Sequence, residues 1–338
     1  MAHPHARILY ALEHNHNNWG TRARIALIGI ASDYPIAQVQ DALGAQEVTL
    51  VQWRADDHQR LTRMGHEVLS DLEALTGHYD AVLIVLPRAK AFARDLIARA
   101  TEMCPDGLIL VDGAKEDGAD AMLKDLRRMN ADPASLSKAH GRVMWCAPFD
   151  ASAWRVPSAI TVDTFETTFG IFSAEAVDAG SALLCEHLPT NLKGRVADLG
   201  TGWGYLAHHV LVTSPEAQID AVEIDARAVA CAQRNLTSFE GRVTCHWADV
   251  TQEPQVLGKA QYDHIVMNPP FHQGRKAQFD LGRAFIGAAA RLLRPKGTLW
   301  MVANRHLPYE DTLENLFKQV NKPHQTGAFK ILQAQGVN

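Results

Sequence analysis

A glycine-rich turn in the second half of the sequence follows an apolar segment and begins a predicted helix. Residues 196–199, which are apolar except for Asp198, lead into Gly200, Gly202 and Gly204. Glycines at such a turn let backbone N–H groups and a helix N-terminus approach a ligand closely. The glycine spacing differs from a dinucleotide fingerprint, and Asp198 before the loop would repel a pyrophosphate. Asp198, Gly200 and Gly202 therefore predict a site for a ligand whose ammonium group Asp198 meets directly or through water.

Two further acids follow the next apolar segments. Glu223 comes 25 residues after Asp198, and Asp249 follows the predicted strand 243–247. A carboxylate at the end of the second strand of such a unit can accept hydrogen bonds from both hydroxyls of a ribose. Asp249 is then placed to accept the amino group of adenine. A ligand with a ribose, an adenine and an amino-acid group is S-adenosylmethionine, the predicted cofactor; the alternative is three solvated loop acids.

The run Asn268-Pro269-Pro270-Phe271 ends the fourth predicted strand. Its two prolines lack backbone donors and restrict the chain, so their carbonyls are free to accept hydrogen bonds. A planar exocyclic amine such as N2 of guanine is a poor nucleophile, because its lone pair is delocalised into the ring. We predict that the Asn268 side-chain oxygen and the Pro269 carbonyl each accept one N–H, which aims the remaining lone pair at the methyl group. Phe271 is predicted to stack on an extruded or unpaired base.

Short apolar segments alternate with helical patterns along the whole sequence, which predicts α/β structure with parallel sheets. In the second half the predicted strands are 196–199, 219–222, 243–247, 264–267 and 298–302. In the first half they are 25–28, 48–53, 82–86, 108–111 and 143–146. Ligands of such sheets bind at the carboxyl ends of the strands, where the three acids and Asn268 stand.

The two halves contain an internal repeat. Residues 79–87 align with 262–270 at a constant offset of 183, and both copies read as Tyr-Asp, a buried strand and a proline. A helical stretch and a Pro-x-Gly turn follow in each copy, which is typical of one half of a parallel crossover unit. In the first copy Val85 and Leu86 replace Asn268 and Pro269. These side chains accept no hydrogen bond, so the first copy is predicted to be catalytically inactive.

The length of 338 residues predicts two domains, and we place them at 1–155 and 160–338. No apolar stretch is long enough to span a bilayer and the start lacks a secretory signal, so a cytoplasmic location is expected. Five scattered cysteines without C-x-x-C spacing and histidines without clustered partners argue against a disulfide framework or a metal site.

The formal net charge of −5 argues against a molecule that binds nucleic acid over its whole surface. One local stretch, residues 275–305, contains seven basic residues and Asp280 alone as an acid. Arg275, Lys276 and Arg305 are therefore candidate RNA-binding residues. On charge alone, a solvated helix face explains the same pattern.

The sequence resembles the bacterial ribosomal RNA guanine-N2 methyltransferases, which have two tandem methyltransferase-like domains. The resemblance covers nearly the full chain and is clearest at 170–173, 177–181, 198–204, 268–273 and 302–309. It implies two tandem Rossmann-like domains, the second with the seven-stranded sheet of class I methyltransferases. It also implies a degenerate first domain that supports folding and RNA binding, guanine N2 as the target, and ribosomal RNA or a ribosomal subunit as the partner.

Two positions depart from the family pattern. Thr201 stands where the family usually has cysteine, and Trp203 is bulky enough either to narrow the cofactor site or to pack outward.

Three other functions compete with this interpretation. They are methylation of a protein glutamine, a catalytically silent RNA-binding or assembly protein, and, least favoured, an NADP-dependent dehydrogenase. The sequence does not specify the ribosomal subunit, the guanine or the oligomeric state.

Overall fold

The chain forms two compact units, Met1–Ser158 and Ala159–Asn338. The computed structural model describes residues 5–19, 21–252, 257–270 and 275–338, with side chains at all of these except 15–19 and 275–278. Each unit is an α/β domain with its own seven-stranded sheet, which confirms the predicted fold class. Within the described ranges, no helix is long and apolar enough to cross a membrane.

The first unit contains a mixed sheet with the strand order β3-β2-β1-β4-β5-β7-β6. Its strands are β1 (Arg24–Ile28), β2 (Glu47–Val51), β3 (Val68–Leu69), β4 (Ala81–Val85), β5 (Leu108–Ala114), β6 (Ala134–Lys138) and β7 (Gly141–Cys146). Its helices are α1 (Ala6–Trp19), α2 (Ile36–Leu43), α3 (Ala55–Arg63), α4 (Lys90–Met103) and α5 (Ala119–Arg128). Strands β2 and β4 end before Trp53 and Leu86, which the sequence assigned to them; both side chains are nevertheless buried.

The second unit begins with a small hairpin and continues as a sheet with the order β12-β11-β10-β13-β14-β16-β15. Its strands are β8 (Ile160–Val162), β9 (Phe165–Thr167), β10 (Gly194–Leu199), β11 (Ala217–Glu223), β12 (Val243–Trp247), β13 (Tyr262–Met267), β14 (Leu293–Asn304), β15 (Phe317–Gln325) and β16 (Phe329–Val337). Its helices are α6 (Ala179–His187), α7 (Tyr205–Thr213), α8 (Ala226–Asn235), α9 (Arg275–Leu292) and α10 (Glu310–Leu316).

The two sheets have the same topology. In each, six strands run in the same direction, and one strand, β7 or β16, is antiparallel to both of its neighbours. Strands β4 and β13, which contain the repeated sequence, occupy the same place beside β1 and β10. The predicted internal repeat is therefore confirmed as a repeat of the fold.

The Tyr-Asp pair of the repeat anchors the start of the central strand in the first unit. The backbone N–H of Arg24 donates to Asp80 Oδ2 over 2.8 Å, and the Arg24 guanidinium lies 4.4 Å from the centre of the Tyr79 ring. The carboxylate thus satisfies a backbone donor at the strand end, and the ring covers the arginine.

The second unit repeats this contact with equivalent residues. The N–H of Arg195 donates to Asp263 Oδ2 over 2.9 Å, and its guanidinium lies 4.8 Å from the Tyr262 ring. The repeat therefore includes side-chain contacts as well as strand order. The Tyr-Asp pair has a structural role in both units.

Alternation along the central strands determines which side chains face the site. Val196 and Val266 pack on the face of the sheet covered by α6 and α7, whereas Ala197, Ile265 and Met267 pack on the opposite face. Because successive strand residues point to opposite faces, Asp198 and Asn268 return to the side of α6 and α7.

Candidate functional site

A cleft lies at the carboxyl ends of β10 and β13 in the second unit, beside the first turns of α6 and α7. The residues that line it are Phe172, Ser173, Asp178, Ser181, Gly200, Thr201, Gly202, Trp203, Tyr205, Leu206 and Asn268. Three of the predicted site residues, Gly200, Gly202 and Asn268, are therefore brought together.

The glycine loop has the backbone geometry that its sequence predicted. Gly200, Gly202 and Gly204 have φ values of +75°, +57° and +96°, in the left-handed region that favours glycine. A Cβ atom at Gly202 would meet no atom of the described chain within 4 Å, so a ligand can approach the backbone there. Helix α7 begins at Tyr205, as predicted, and its N-terminus faces the loop.

Asp198 is completely buried beneath the loop. Its Oδ2 accepts hydrogen bonds from Thr201 Oγ1 over 2.6 Å and from the Ala207 N–H over 3.0 Å. Its Oδ1 is buried and has no hydrogen-bond partner among the described residues. Burial raises the pKa of Asp198 to about 7, and the neighbouring Glu223 adds to the shift. A cationic ligand would satisfy this carboxylate, so the residues fit an ammonium group.

Glu223, the last residue of β11, holds the rim of the glycine loop. Its Oε2 accepts the Gly202 N–H over 2.9 Å, and its Oε1 accepts the N–H groups of Ile224 and Asp225 over 2.8 and 3.1 Å. Burial raises its pKa and the backbone donors oppose that shift. The residue is half-buried, and its carboxylate retains lone pairs for ribose hydroxyls.

Asp249 stands two residues after β12, the strand paired with β11. Its Oδ1 accepts from the N–H and hydroxyl of Thr251 at 2.8 and 2.7 Å, and its Oδ2 accepts from Gln252 Nε2 at 2.8 Å. The carboxylate thus organises the turn that follows the strand. Its predicted contact with adenine stays a prediction.

Asn268 directly follows β13 and is 7% exposed. Its Nδ2 donates to Asp178 Oδ2 and to Ser181 Oγ, both over 2.8 Å. Its Oδ1 is buried and finds no partner in the part of the chain that the structure describes. Pro269 is buried beside it and has no N–H to donate. An unused acceptor therefore lies at the cleft, as a site for an exocyclic amine requires.

Four predicted residues remain, one predicted to stack on the base and three predicted to bind RNA. Phe271 falls outside the described residues. Arg275 and Lys276 begin α9, and their side chains are also outside the description. Arg305 follows β14, where its side chain is exposed and its N–H donates to the Ala328 carbonyl over 2.8 Å.

No group of three histidine, cysteine, aspartate or glutamate side chains within the described ranges could hold a metal ion.

Comparisons with known proteins agree with this geometry. Residues 163–333 match the family model described as "Methyltransferase small domain". A "Ribosomal RNA small subunit methyltransferase C" of Shewanella loihica is 30% identical over 279 residues, which cover 79% of this chain and 79% of that protein. The chain belongs to the ribosomal RNA guanine-N2 methyltransferase family.

Two further similarities extend over most of the chain. A relative of the same description from Shewanella sp. strain MR-4 is 30% identical over 298 residues, with 82% of this chain and 86% of that protein covered. The solved structure of the T. thermophilus 16S rRNA N2 G1207 methyltransferase, in complex with AdoMet and guanosine, matches with a TM-score of 0.75. Its identity is 25%, and the match covers 93% of this chain and 88% of that one.

Trp203, one of the two departures from the family pattern, is built into the wall of the cleft. The residue is 3% exposed, its ring centre lies 5.0 Å from that of Phe165, and its Nε1 donates to the Ser173 carbonyl over 3.2 Å. The indole therefore connects the β8–β9 hairpin to Ser173, another residue that lines the cleft. Thr201, the other departure, donates its hydroxyl to Asp198. A cysteine thiol is a weaker donor and would make a weaker bond at this position.

Sequence reasoning gave no role to Asp178 and Ser181, although both lie in a segment that resembles the family. They contact Asn268 across 90 and 87 residues of sequence. The local signal is an N-cap pattern, because Asp178 Oδ2 accepts the Ser181 N–H over 2.8 Å at the start of α6. That pattern indicates a helix start, and it carries no information about Asn268.

Proposed function

We propose that this protein transfers a methyl group from S-adenosylmethionine to the exocyclic N2 of a guanine in ribosomal RNA. The observation that carries the proposal is the Asn268 amide, whose nitrogen is fully engaged and whose buried oxygen is left to accept a hydrogen bond at the cleft. Membership of the family supports the same reaction. The relatives are small-subunit enzymes, so we propose small-subunit ribosomal RNA as the substrate.

The residues at the glycine loop fit the cofactor. The unpartnered oxygen of Asp198 would hold the ammonium group, the open backbone at Gly202 would admit the ligand, and Glu223 would accept the ribose hydroxyls. Asp249 would accept the adenine amino group. When bound, S-adenosylmethionine supplies an electrophilic methyl group carried on a sulfonium.

The chain orients the guanine amine and needs no strong base. The Asn268 oxygen and the Pro269 carbonyl each accept one N–H of N2, which fixes the plane of the amine. The remaining lone-pair direction would then be aimed at the methyl carbon, and the acceptors would stabilise the positive charge that develops on nitrogen. One proton of the methylated amine would then pass to water, which leaves the neutral product. Phe271 stacks on the base and holds it in the site.

RNA binding is assigned to two regions. Arg275, Lys276 and Arg305 contact the RNA backbone, and the first unit supports folding and contributes to RNA binding. A ribosomal substrate agrees with the cytoplasmic location expected from the sequence.

The test offers labelled S-adenosylmethionine and the full chain with four acceptors: naked small-subunit RNA, naked large-subunit RNA, isolated ribosomal subunits and release-factor protein. Labelled RNA is digested to nucleosides, and the product is identified by mass spectrometry. The expected product is N2-methylguanosine in small-subunit RNA, naked or assembled. Label in the release factor would establish the glutamine methyltransferase instead, and RNA binding without methyl transfer to any acceptor would establish a silent RNA-binding protein.

A further inference from the structure

The amide of Asn268 presents an orientation problem that the proposed function must solve. A side-chain amide has an oxygen and an NH2 group of nearly the same shape on either side of one carbon. Only the oxygen can accept an N–H from the substrate amine. If the amide rotated by half a turn, two N–H groups would point at a donor and the site would repel the base.

Two side chains on α6 remove this ambiguity. An ionised carboxylate is an acceptor only, so the Asn268 atom 2.8 Å from Asp178 Oδ2 must be the nitrogen. Ser181 Oγ accepts the second N–H of the same nitrogen, also over 2.8 Å. Both protons of the amide nitrogen are used within the protein, and the oxygen is left for the substrate.

Helix α6 is built to bring these two groups to the end of β13. Asp178 is its N-cap, and Ser181 is the residue that the cap bonds. A Cβ on Gly180 would lie 3.0 Å from Asp178 Oδ2 and 3.2 Å from the Phe329 ring, so glycine permits this close packing. One carboxylate oxygen thus both caps the helix and holds the Asn268 amide.

The first unit lacks both halves of this arrangement. Pairing of Ile28 with Ile84 and of Leu199 with Met267 puts Val85 at the position of Asn268. Helix α1 begins at Ala6 and has the fully buried Ile8 as its third residue, whereas Ser181 is the third residue of α6. Where no amide has to be oriented, the acceptor is replaced by an apolar side chain.

We infer that Asp178 and Ser181 are positioning residues, which act on methyl transfer by fixing the Asn268 amide with its oxygen toward the reacting amine. This role rests on the proposed function. Neither residue accepts a proton in the reaction or needs to touch the guanine, and both act through Asn268.

The first test compares variants that separate helix capping from amide positioning. Asp178→Ser keeps a good N-cap but has a shorter side chain that withdraws the acceptor from Asn268. We expect kcat to fall roughly tenfold or more in Asp178→Ser, with the cofactor Kd changed less than about twofold. Asp178→Asn, whose oxygen can serve both partners, should restore kcat to within about threefold of wild type, and Ser181→Ala should lie between.

A double-mutant cycle gives the sharper result. In the Asn268→Ala background there is no amide left to orient, so Asp178→Ser should cause no further loss of kcat. A full additional loss would show that Asp178 acts independently and would overturn the inference. So would a weaker cofactor Kd with unchanged kcat, since Asp178 would then be a cofactor contact.

The second measurement does not depend on methyl transfer. The side-chain amide protons of Asn268, assigned by their disappearance in Asn268→Ala, are followed by NMR hydrogen exchange in the full chain. We expect slow exchange in wild type and Asp178→Asn, and faster exchange in Asp178→Ser. Equal exchange in all three overturns the inference. Loss of protection in Asp178→Ser together with no methylation of guanine N2 would instead refute the proposed function alone.

Discussion

Equivalent glycines follow the central strand in both units. Gly29 has φ +72° and donates its N–H to the Val51 carbonyl over 2.8 Å, and Gly200 has φ +75° and donates to Val222 over 2.9 Å. Two residues before each glycine the units differ, with Leu27 in the first and Asp198 in the second. The turn is therefore common to both units, and the acidic group beneath it belongs to the second.

The position of Glu223 shows the smallest change. The registers of β2 and β11 make Gln52 its counterpart. Gln52 Oε1 accepts the Arg54 N–H over 2.8 Å, as Glu223 Oε1 accepts that of Asp225. Its Nε2, however, donates to the Ile30 carbonyl, where Glu223 accepts from Gly202. The local geometry is kept, but the charge that would hold a ribose is absent.

In the first unit, the tyrosine that corresponds to a cleft residue of the second unit is engaged by other side chains of its own unit. Tyr34 stands five residues after Gly29, as Tyr205 stands after Gly200. Tyr205 lines the cleft, whereas Tyr34 is buried and its hydroxyl donates to Asp112 over 3.0 Å. Arg7 pairs with the same carboxylate. The same fold therefore carries two kinds of strand end. In the first unit the polar side chains there pair with one another, and in the second unit polar groups are left to bind a ligand.

The largest expected effect on turnover comes from replacing Asn268, at the end of β13, by an apolar residue like its counterpart in the first unit. Asn268→Ala should lower kcat about 100- to 1000-fold, the usual cost of losing one contact to charge that develops in the transition state. Cofactor and RNA affinity should stay near wild type. Val85→Ala is the matched control and should leave turnover unchanged. A large loss of cofactor affinity in Asn268→Ala would contradict its assigned role.

Glu223→Gln converts the ribose position to the residue of the first unit. Loss of the charge-assisted hydrogen bonds should weaken S-adenosylmethionine binding by about 1.5–3 kcal/mol, measured by calorimetry. Thermal unfolding without cofactor serves as the control for a change in folding. An unchanged Kd would show that the ribose binds elsewhere.

Asp198 should make cofactor affinity depend on pH. Its counterpart in the first unit, Leu27, has no group that titrates. Its pKa of about 7 means that the carboxyl is largely neutral at pH 6 and largely ionised at pH 7.5. Because a bound cation favours the ionised form, affinity should rise about tenfold over this range. In Asp198→Asn the rise should disappear. A flat profile in wild type would contradict the contact.

The smallest effect concerns the basic residues at the start of α9. Arg275→Ala with Lys276→Ala should weaken RNA binding and reduce its salt dependence by about one unit of slope for each lost phosphate contact. Lys318→Ala with Lys322→Ala, on the exposed edge strand β15, removes the same charge and should change the slope less. If both pairs behave alike, residues 275–305 are a solvated face and RNA binds elsewhere.

The sequence predicted the parts of the fold that leave an apolar signal. Each of the ten apolar segments corresponds to a strand, and the Tyr-Asp repeat corresponds to a repeated fold. Residue patterns missed β3, β6, β15, β16 and the small hairpin. Edge strands such as β15 carry polar side chains and even Pro323. The interior strand β16 has only the short apolar pair Ile331 and Leu332 between polar residues.

The sequence predicted site residues only where a polar side chain stands at the end of a predicted strand. Asp198, Glu223 and Asn268 each lie within one residue of the end of an apolar segment, and the topology of parallel strands brings such ends together. The contact of Asn268 with Asp178 depends instead on how α6 packs across the sheet. No local pattern encodes that packing.

Calorimetric titration of the full chain with S-adenosylmethionine tests the central difference between the units most directly. Asp198, Glu223 and Asn268 have Leu27, Gln52 and Val85 as counterparts, so one cofactor should bind per chain, and Glu223→Gln should weaken that single site. Two cofactors per chain, or a strong site that survives in Glu223→Gln, would contradict the conclusion that the second unit alone holds the cofactor.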